Sequence, residues 1–116
     1  MGRLRFEAVT TFNLKGYESY GARMMRSFMK HWPLEVPLNV YTEGWEPSET
    51  ERDAGSFLPL YESSNWLADF RRRHHDDPVK GMPWDALRFA HKVAAWTHAA
   101  QMTSADVLIW LDADTV

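Results

Sequence analysis

The segment Asp106 to Leu111, Asp-Val-Leu-Ile-Trp-Leu, is a nearly continuous apolar run. A strand without polar alternation is the type buried on both faces of a parallel sheet. Parallel strands cannot be joined by hairpins and need crossover connections, most often helices. The chain supplies them: short β-type runs alternate with helical patterns, which points to an α/β fold. Phe6 to Phe12 (Phe-Glu-Ala-Val-Thr-Thr-Phe) is a strand of β-branched and aromatic residues, after which Asn13 and Gly16 open a turn. Leu38 to Thr42 is a second strand, closed by Glu43 and Gly44. Ser56 to Tyr61 is a third, and Pro59 suits it to an edge or a strand end.

Between these runs lie the helices. From Tyr17 to His31, the residues Tyr17, Tyr20, Met24 and Phe28 recur at three- and four-residue steps, and Pro33 and Pro37 bracket the exit. Trp45 to Gly55 is polar and reads as a surface loop. Ser63 or Ser64 caps a helix running through Trp66, Leu67 and Phe70 to the basic stretch at Arg71. His74 to Pro83 reads as a loop. Asp85 to Gln101 carries the clearest helical pattern, with an apolar stripe of Leu87, Ala90, Val93, Ala94, Trp96, Thr97 and Ala100. Arg88 and Lys92 share another face at i,i+4 spacing. Met24 and Trp96 are expected in the core, whereas Trp45 and Trp66, beside loops, are the better placed for ligand contact. The expected architecture is a mostly parallel, Rossmann-like sheet of three to four strands flanked by helices, with the chain stopping just after the last strand.

Composition narrows the function classes. At 116 residues the chain is one domain's worth of sequence, read as a single unit over 1–116. Its 13 basic and 16 acidic residues leave a net charge of −3, which argues against broad electrostatic binding to nucleic acid or an anionic membrane. Zero cysteines exclude disulfides, thiolate catalysis and cysteine-ligated metal centres. No run approaches the roughly 18 apolar residues of a membrane span, and no signal-peptide core follows Met1. A soluble, cytoplasmic chain is expected.

The chemistry gathers where the apolar strand ends. Asp112-Ala113-Asp114 places two carboxylates one residue apart beyond its carboxyl end, the edge at which open α/β sheets bind ligands. Paired oxygen donors suit a hard divalent cation, Mn²⁺ or Mg²⁺, which would also bridge a ligand's phosphates. Unpaired with a cation, the two charges repel and call for a counter-charge. The alternative is a solvated turn with two acids at a strand end. His74-His75-Asp76-Asp77 has ligand-type residues but reads as a mobile polar loop. His91 and His98, two helical turns apart, are too distant to share one metal and are expected on the surface or half-buried.

The strand Phe6–Phe12, the helix Asp85–Gln101 and the run Asp106–Asp114 together resemble the nucleotide-sugar glycosyltransferases of the GT-A fold. The order of elements covers nearly the whole chain, and only its last ten or so residues are motif-specific. The resemblance implies binding of a nucleotide-diphosphate sugar, a UDP-sugar foremost, and glycosyl transfer to an unknown acceptor. It implies that Asp114 is the direct metal ligand and that Asp112 serves both the metal and the ribose. Thr10, Thr11, Phe12 and Asn13 correspond to the family's nucleoside-binding edge, with Phe12 able to stack on the base. Glu43 corresponds to an acceptor of hydrogen bonds from base or ribose, and Arg88 and Lys92 to cations facing the diphosphate. Family members continue well past the Asp-x-Asp motif, so the chain is expected to be the N-terminal, donor-binding part of a longer enzyme, able to self-associate through an incomplete sheet.

Two other readings compete. In a haloacid-dehalogenase-type phosphatase, Asp112 would be the nucleophile and Asp114 the general acid, but that motif sits on the first strand of its domain. A non-catalytic nucleotide-binding or remnant module is the reading from a different class.

Overall fold

The structure, a computed structural model, describes residues 3–52, 55–74 and 86–112. Four parallel strands form one sheet in the order β3-β2-β1-β4: β1 (Phe6–Phe12), β2 (Leu38–Thr42), β3 (Ser56–Pro59) and β4 (Val107–Trp110). The register sets Thr11 beside Tyr41 and Val9 beside Trp110. This is the flanked parallel α/β architecture expected of the sequence.

β4 departs from expectation in one respect. It is an edge strand among the described residues, paired only with β1, and all four of its residues are half-buried. Its apolar run therefore reflects cover by flanking elements, with one side of the ladder unpaired. β3 ends at Pro59, which cannot extend the ladder, and Leu60–Ser63 (α4) turns helical instead of continuing the strand to Tyr61.

The first crossover starts earlier than the turn residues suggest. Asn13 caps a helix directly, its Oδ1 accepting the Gly16 N–H at 2.7 Å, and α1 (Leu14–Gly16) runs through a π-helical turn, Tyr17–Gly21, into α2 (Ala22–His31). A π turn holds an extra residue and rotates the helix beyond it. The buried face becomes Gly21, Met24, Met25 and Phe28, and Tyr20 is left exposed. Gly21 has a packing reason. A Cβ there would stand 3.0–3.1 Å from the ring of Phe12, so the ring fills the space a side chain would need.

Within the 45–55 loop lies α3 (Glu49–Arg52), begun by a capping box. Ser48 Oγ accepts the Glu51 N–H at 3.3 Å, and Glu51 Oε1 accepts the Ser48 N–H at 2.9 Å. Ser64 caps α5 (Asn65–His74), with Oγ accepting the Leu67 N–H at 3.4 Å. His74 is the last residue of that helix, and the rest of the expected 74–83 loop lies outside the described residues.

α6 (Ala86–Met102) packs on the sheet through a different stripe from the one the pattern suggests. Ala90, His91, Ala94, Ala95 and Ala99 are buried, Thr97 is half-buried, and Val93, Trp96 and Ala100 are exposed. Alanines let the helix approach the sheet closely, and the bulky Trp96 is displaced to the flank, where it meets Trp110 edge-on at 6.2 Å. Trp96 is thus a flank residue, not a core one. Met24 is buried as expected.

Two cores result, one on each face. Val9, Tyr41, Leu60 and Leu67 pack with the α6 alanines, and Ala8, Phe12, Met24, Met25, Phe28, Leu38 and Val40 pack on the α2 side. Side chains alternate along a strand, so Thr10 falls on the α2 face between Ala8 and Phe12. It is fully buried, and its Oγ1 has no hydrogen-bond partner among the described residues. An unsatisfied buried hydroxyl is costly, and valine has the same shape without it. Thr10→Val is expected to stabilise the fold by about 1 kcal/mol. Urea unfolding measures this, and a variant no more stable than the parent would show that the hydroxyl is satisfied.

Candidate functional site at the carboxyl edge of the sheet

Three adjacent strands end in polar residues on the face covered by α6. Val9 and Tyr41 belong to that face's core and Leu108 and Trp110 pack against it, so alternation carries Thr11, Glu43 and Asp112 onto the same side. Neighbouring strands stand about 4.8 Å apart, which puts Glu43 and Asp112 on either side of Thr11, about 10 Å from one another.

Direct contacts join these residues in pairs. Thr11 Oγ1, nearly buried, lies 2.8 Å from Glu43 Oε2 and 3.0 Å from the Tyr41 carbonyl oxygen, and shares its single proton between the two acceptors. Lys92 Nζ reaches across from α6 to Asp112 Oδ1 at 3.4 Å, and the Trp110 indole N–H donates to that same oxygen at 3.1 Å. The Trp110 hydrogen bond, followed by the charge of Lys92, holds the Asp112 carboxyl below the usual carboxylate range, against the opposing effect of its partial burial. The Lys92–Asp112 pair is about half exposed on both sides, so it contributes little to folding. Its interest is that a cation already faces this carboxylate.

The other expected site residues fall differently. Phe12 is a core side chain, packed against Tyr17 and Trp45 and against the backbone at Gly21; burial removes its ring from any ligand. Thr10 is withheld from any ligand for the same reason, since its hydroxyl lies inside the α2-side core. Asn13 is exposed at the strand end and spends its carbonyl oxygen on the helix cap. Arg88 lies in the first turn of α6, with its side chain outside the described residues, and Asp114 lies wholly outside them.

A hard divalent cation keeps several waters and is commonly bound through one or two carboxylates plus substrate phosphates. Among the described residues no group of three or more His, Asp or Glu could hold a metal by itself. Asp112 fits the smaller requirement. Trp110 and Lys92 both take Oδ1, and among the described residues no hydrogen bond reaches Oδ2.

Three further residues at this edge were not legible as site residues in the sequence. Tyr61, just past β3, shares a hydrogen bond at 2.9 Å with His91 Nε2, and the Arg71 guanidinium lies 3.6 Å above its ring. Burial raises the Tyr61 pKa, the Arg71 charge lowers it and the Glu43 charge raises it again, so Glu43 faces this ring. Lower on the same helix His98 Nδ1 pairs with the Tyr41 hydroxyl at 2.6 Å, and burial together with Glu7 pushes Tyr41 up to about 12. The seven-residue histidine spacing was the available signal: it puts both imidazoles on the sheet-facing side of α6.

Next to Tyr61 a cleft of about 330 Å³ opens between the carboxyl ends of β2 and β3, bordered by Thr42, Trp45, Arg52, Leu58, Tyr61 and Glu62. Gly44, at φ 77°, makes the left-handed turn beneath it, and a Cβ there would stand 3.3 Å from the Tyr61 ring. Trp45 is half-buried and anchored, its indole donating to the Phe12 carbonyl at 3.0 Å, with one side left at the cleft. Trp66 is exposed and packs edge-on to Phe70, and it does not line this cleft.

Fold and site together define an open parallel α/β protein with an acidic, cation-faced carboxyl edge. Comparison with protein-family models, with curated proteins and with solved structures returned no match. Among the described residues no helix is long and apolar enough to cross a membrane.

Proposed function

We propose that this chain binds a nucleotide-diphosphate sugar, a UDP-sugar foremost, through Mn²⁺ or Mg²⁺ held at Asp112 and Asp114, and that it is the donor-binding region of a cytoplasmic glycosyltransferase of GT-A type. The observation that carries the reading is the row Glu43, Thr11, Asp112 across three adjacent strand ends, with Lys92 set against Asp112. Open α/β sheets bind ligands at this edge. The aromatic-walled cleft beside the row suits a planar base, and Glu43 with Thr11 suits ribose hydroxyls. A cation at Asp112 would bridge the diphosphate, and Lys92 and Arg88 would offset the charge that grows on it as the glycosyl bond breaks. The acceptor contributes nothing that this chain's residues identify. Self-association through the side of β4 left unpaired among the described residues belongs to the same reading, supported by the exposed Val93 and Trp96 on the adjoining helix.

Calorimetric titration with UDP and GDP, with and without Mn²⁺, tests the reading. The expected result is tighter nucleotide binding in Mn²⁺, with UDP preferred. Equal affinities in both conditions would overturn the metal assignment and return Asp112 and Asp114 to a solvated strand end.

A further inference from the structure

The opposite end of the sheet carries a second surface. A helix crossing between parallel strands returns antiparallel to them, so α2 ends at the amino edge, away from Asp112. There Pro33–Val36 forms a tight turn, with the Val36 N–H donating to the Pro33 carbonyl at 3.1 Å, and Leu34 at its tip is 95% exposed. Met29, on the last turn of α2, is 53% exposed. Trp32 is half-buried and stacked on Phe28 at 4.8 Å, beside a recess of about 280 Å³ whose lining includes Phe28, Val36 and Leu38.

The charge along this stretch of sequence runs against that of the chain, although Glu51 of α3 faces Tyr17 together with Arg26. Over residues 22–37 there are three cations, Arg23, Arg26 and Lys30, and one acid, Glu35, a local balance of +2 in a chain whose total is −3. Arg26 and Lys30 are exposed, as is His31, and Arg26, Met29 and Lys30 lie at i, i+3 and i+4 on one side of α2. Protruding leucine, an interfacial tryptophan and a basic helix face form the combination that docks on anionic lipid: apolar tips enter the headgroup boundary while long cationic side chains stay at the phosphates.

We infer that the amino edge, Met29 to Leu34 with Arg26 and Lys30, is a peripheral docking surface for anionic phospholipid. The occupant is set by charge: an apolar tip alone would suit any greasy partner, but the concentration of cations beside it selects a negatively charged surface. Docked in this way, the chain holds its carboxyl edge, with Asp112, facing away from the lipid.

Vesicle flotation of the 116-residue chain tests this, using phosphatidylcholine alone and an equal mixture with phosphatidylglycerol. Binding is expected to the mixed vesicles, to weaken as salt screens the cations, and to be far weaker on phosphatidylcholine. Arg26→Gln and Lys30→Gln are each expected to weaken it about fivefold. Leu34→Asn is expected to weaken it about tenfold. These positions are exposed, so unchanged circular dichroism and urea midpoints should accompany the losses. No flotation with either vesicle, equal flotation with both, or flotation indifferent to these substitutions would overturn the assignment. A lipid-free dimer that Leu34→Asn dissolves would also overturn it, by giving the surface to a second copy of the chain.

Discussion

Asp112→Asn and Asp114→Asn are each expected to remove most of the gain in UDP affinity proposed for Mn²⁺, Asp114→Asn the more completely. An amide keeps the carboxylate's shape but gives up the charge and a strong oxygen ligand, so a hard cation loses its anchor while the fold is undisturbed. The loss should reach at least the roughly 10- to 100-fold in metal affinity that outer-shell partners already command. Lys92→Ala has a different signature. It frees Asp112 of its existing cation but removes a counter-charge for the diphosphate, so it should weaken nucleotide binding in the absence of metal. The pH dependence has a definite sign. The Trp110 hydrogen bond and Lys92 depress the Asp112 pKa, so the carboxylate persists as pH falls through the usual carboxylate range. Whatever it contributes to metal binding and folding is present above its unfolded-state pKa and disappears only as pH drops through the lower folded value. Titrations of the parent and the three variants, with and without Mn²⁺, decide the matter. A full metal response retained in Asp112→Asn would exclude this carboxylate from the site.

The sheet is legible in the sequence because its strands announce themselves by composition and period. Phe6–Phe12 and Leu38–Thr42 match the structure residue for residue. Differences arise where tertiary packing overrides local pattern. Hydrophobicity alone selects one stripe on α6, yet close packing on a sheet favours small residues, so Ala95 and His91 go in and Trp96 comes out. One π turn displaces the α2 face by a residue, and periodicity counted at 3.6 has no means of detecting it. The capping box at Ser48 and Glu51 is readable, because Ser-x-x-Glu is its signature, but the polar loop around it conceals the helix. At the site, residues adjacent to strand ends are visible in the sequence, and the pairings Thr11–Glu43 and Lys92–Asp112 emerge once the strands are ordered. Tyr61 and Arg71 cannot be found in this way. Their place at the edge depends on α4 and α5 folding back over α6, a long-range arrangement that no short motif encodes.

That fold-back makes Leu67 a side chain whose loss should cost much. It is fully buried on α5 and packs with Leu60, Tyr41, Ala90 and Ala94 in the core that seats α5 against α6. The alanines opposite it cannot expand to fill a void, so truncation leaves a cavity with little relaxation. Leu67→Ala should therefore cost about 2–5 kcal/mol, a large part of the roughly 5–15 kcal/mol typical of a domain this size. Leu67→Met conserves volume and should cost less than about 1.5 kcal/mol. Urea unfolding measures both, and a Leu67→Ala loss below about 1 kcal/mol would mean that α5 is not held through this contact. The effect should extend to the site. Arg71 lies one turn beyond Leu67 and stands over Tyr61, which pairs with His91 on α6. Loosening α5 in a variant that still folds should therefore weaken the proposed nucleotide binding in the cleft beside Tyr61, while the Asp112–Lys92 end of the row keeps the proposed response to Mn²⁺.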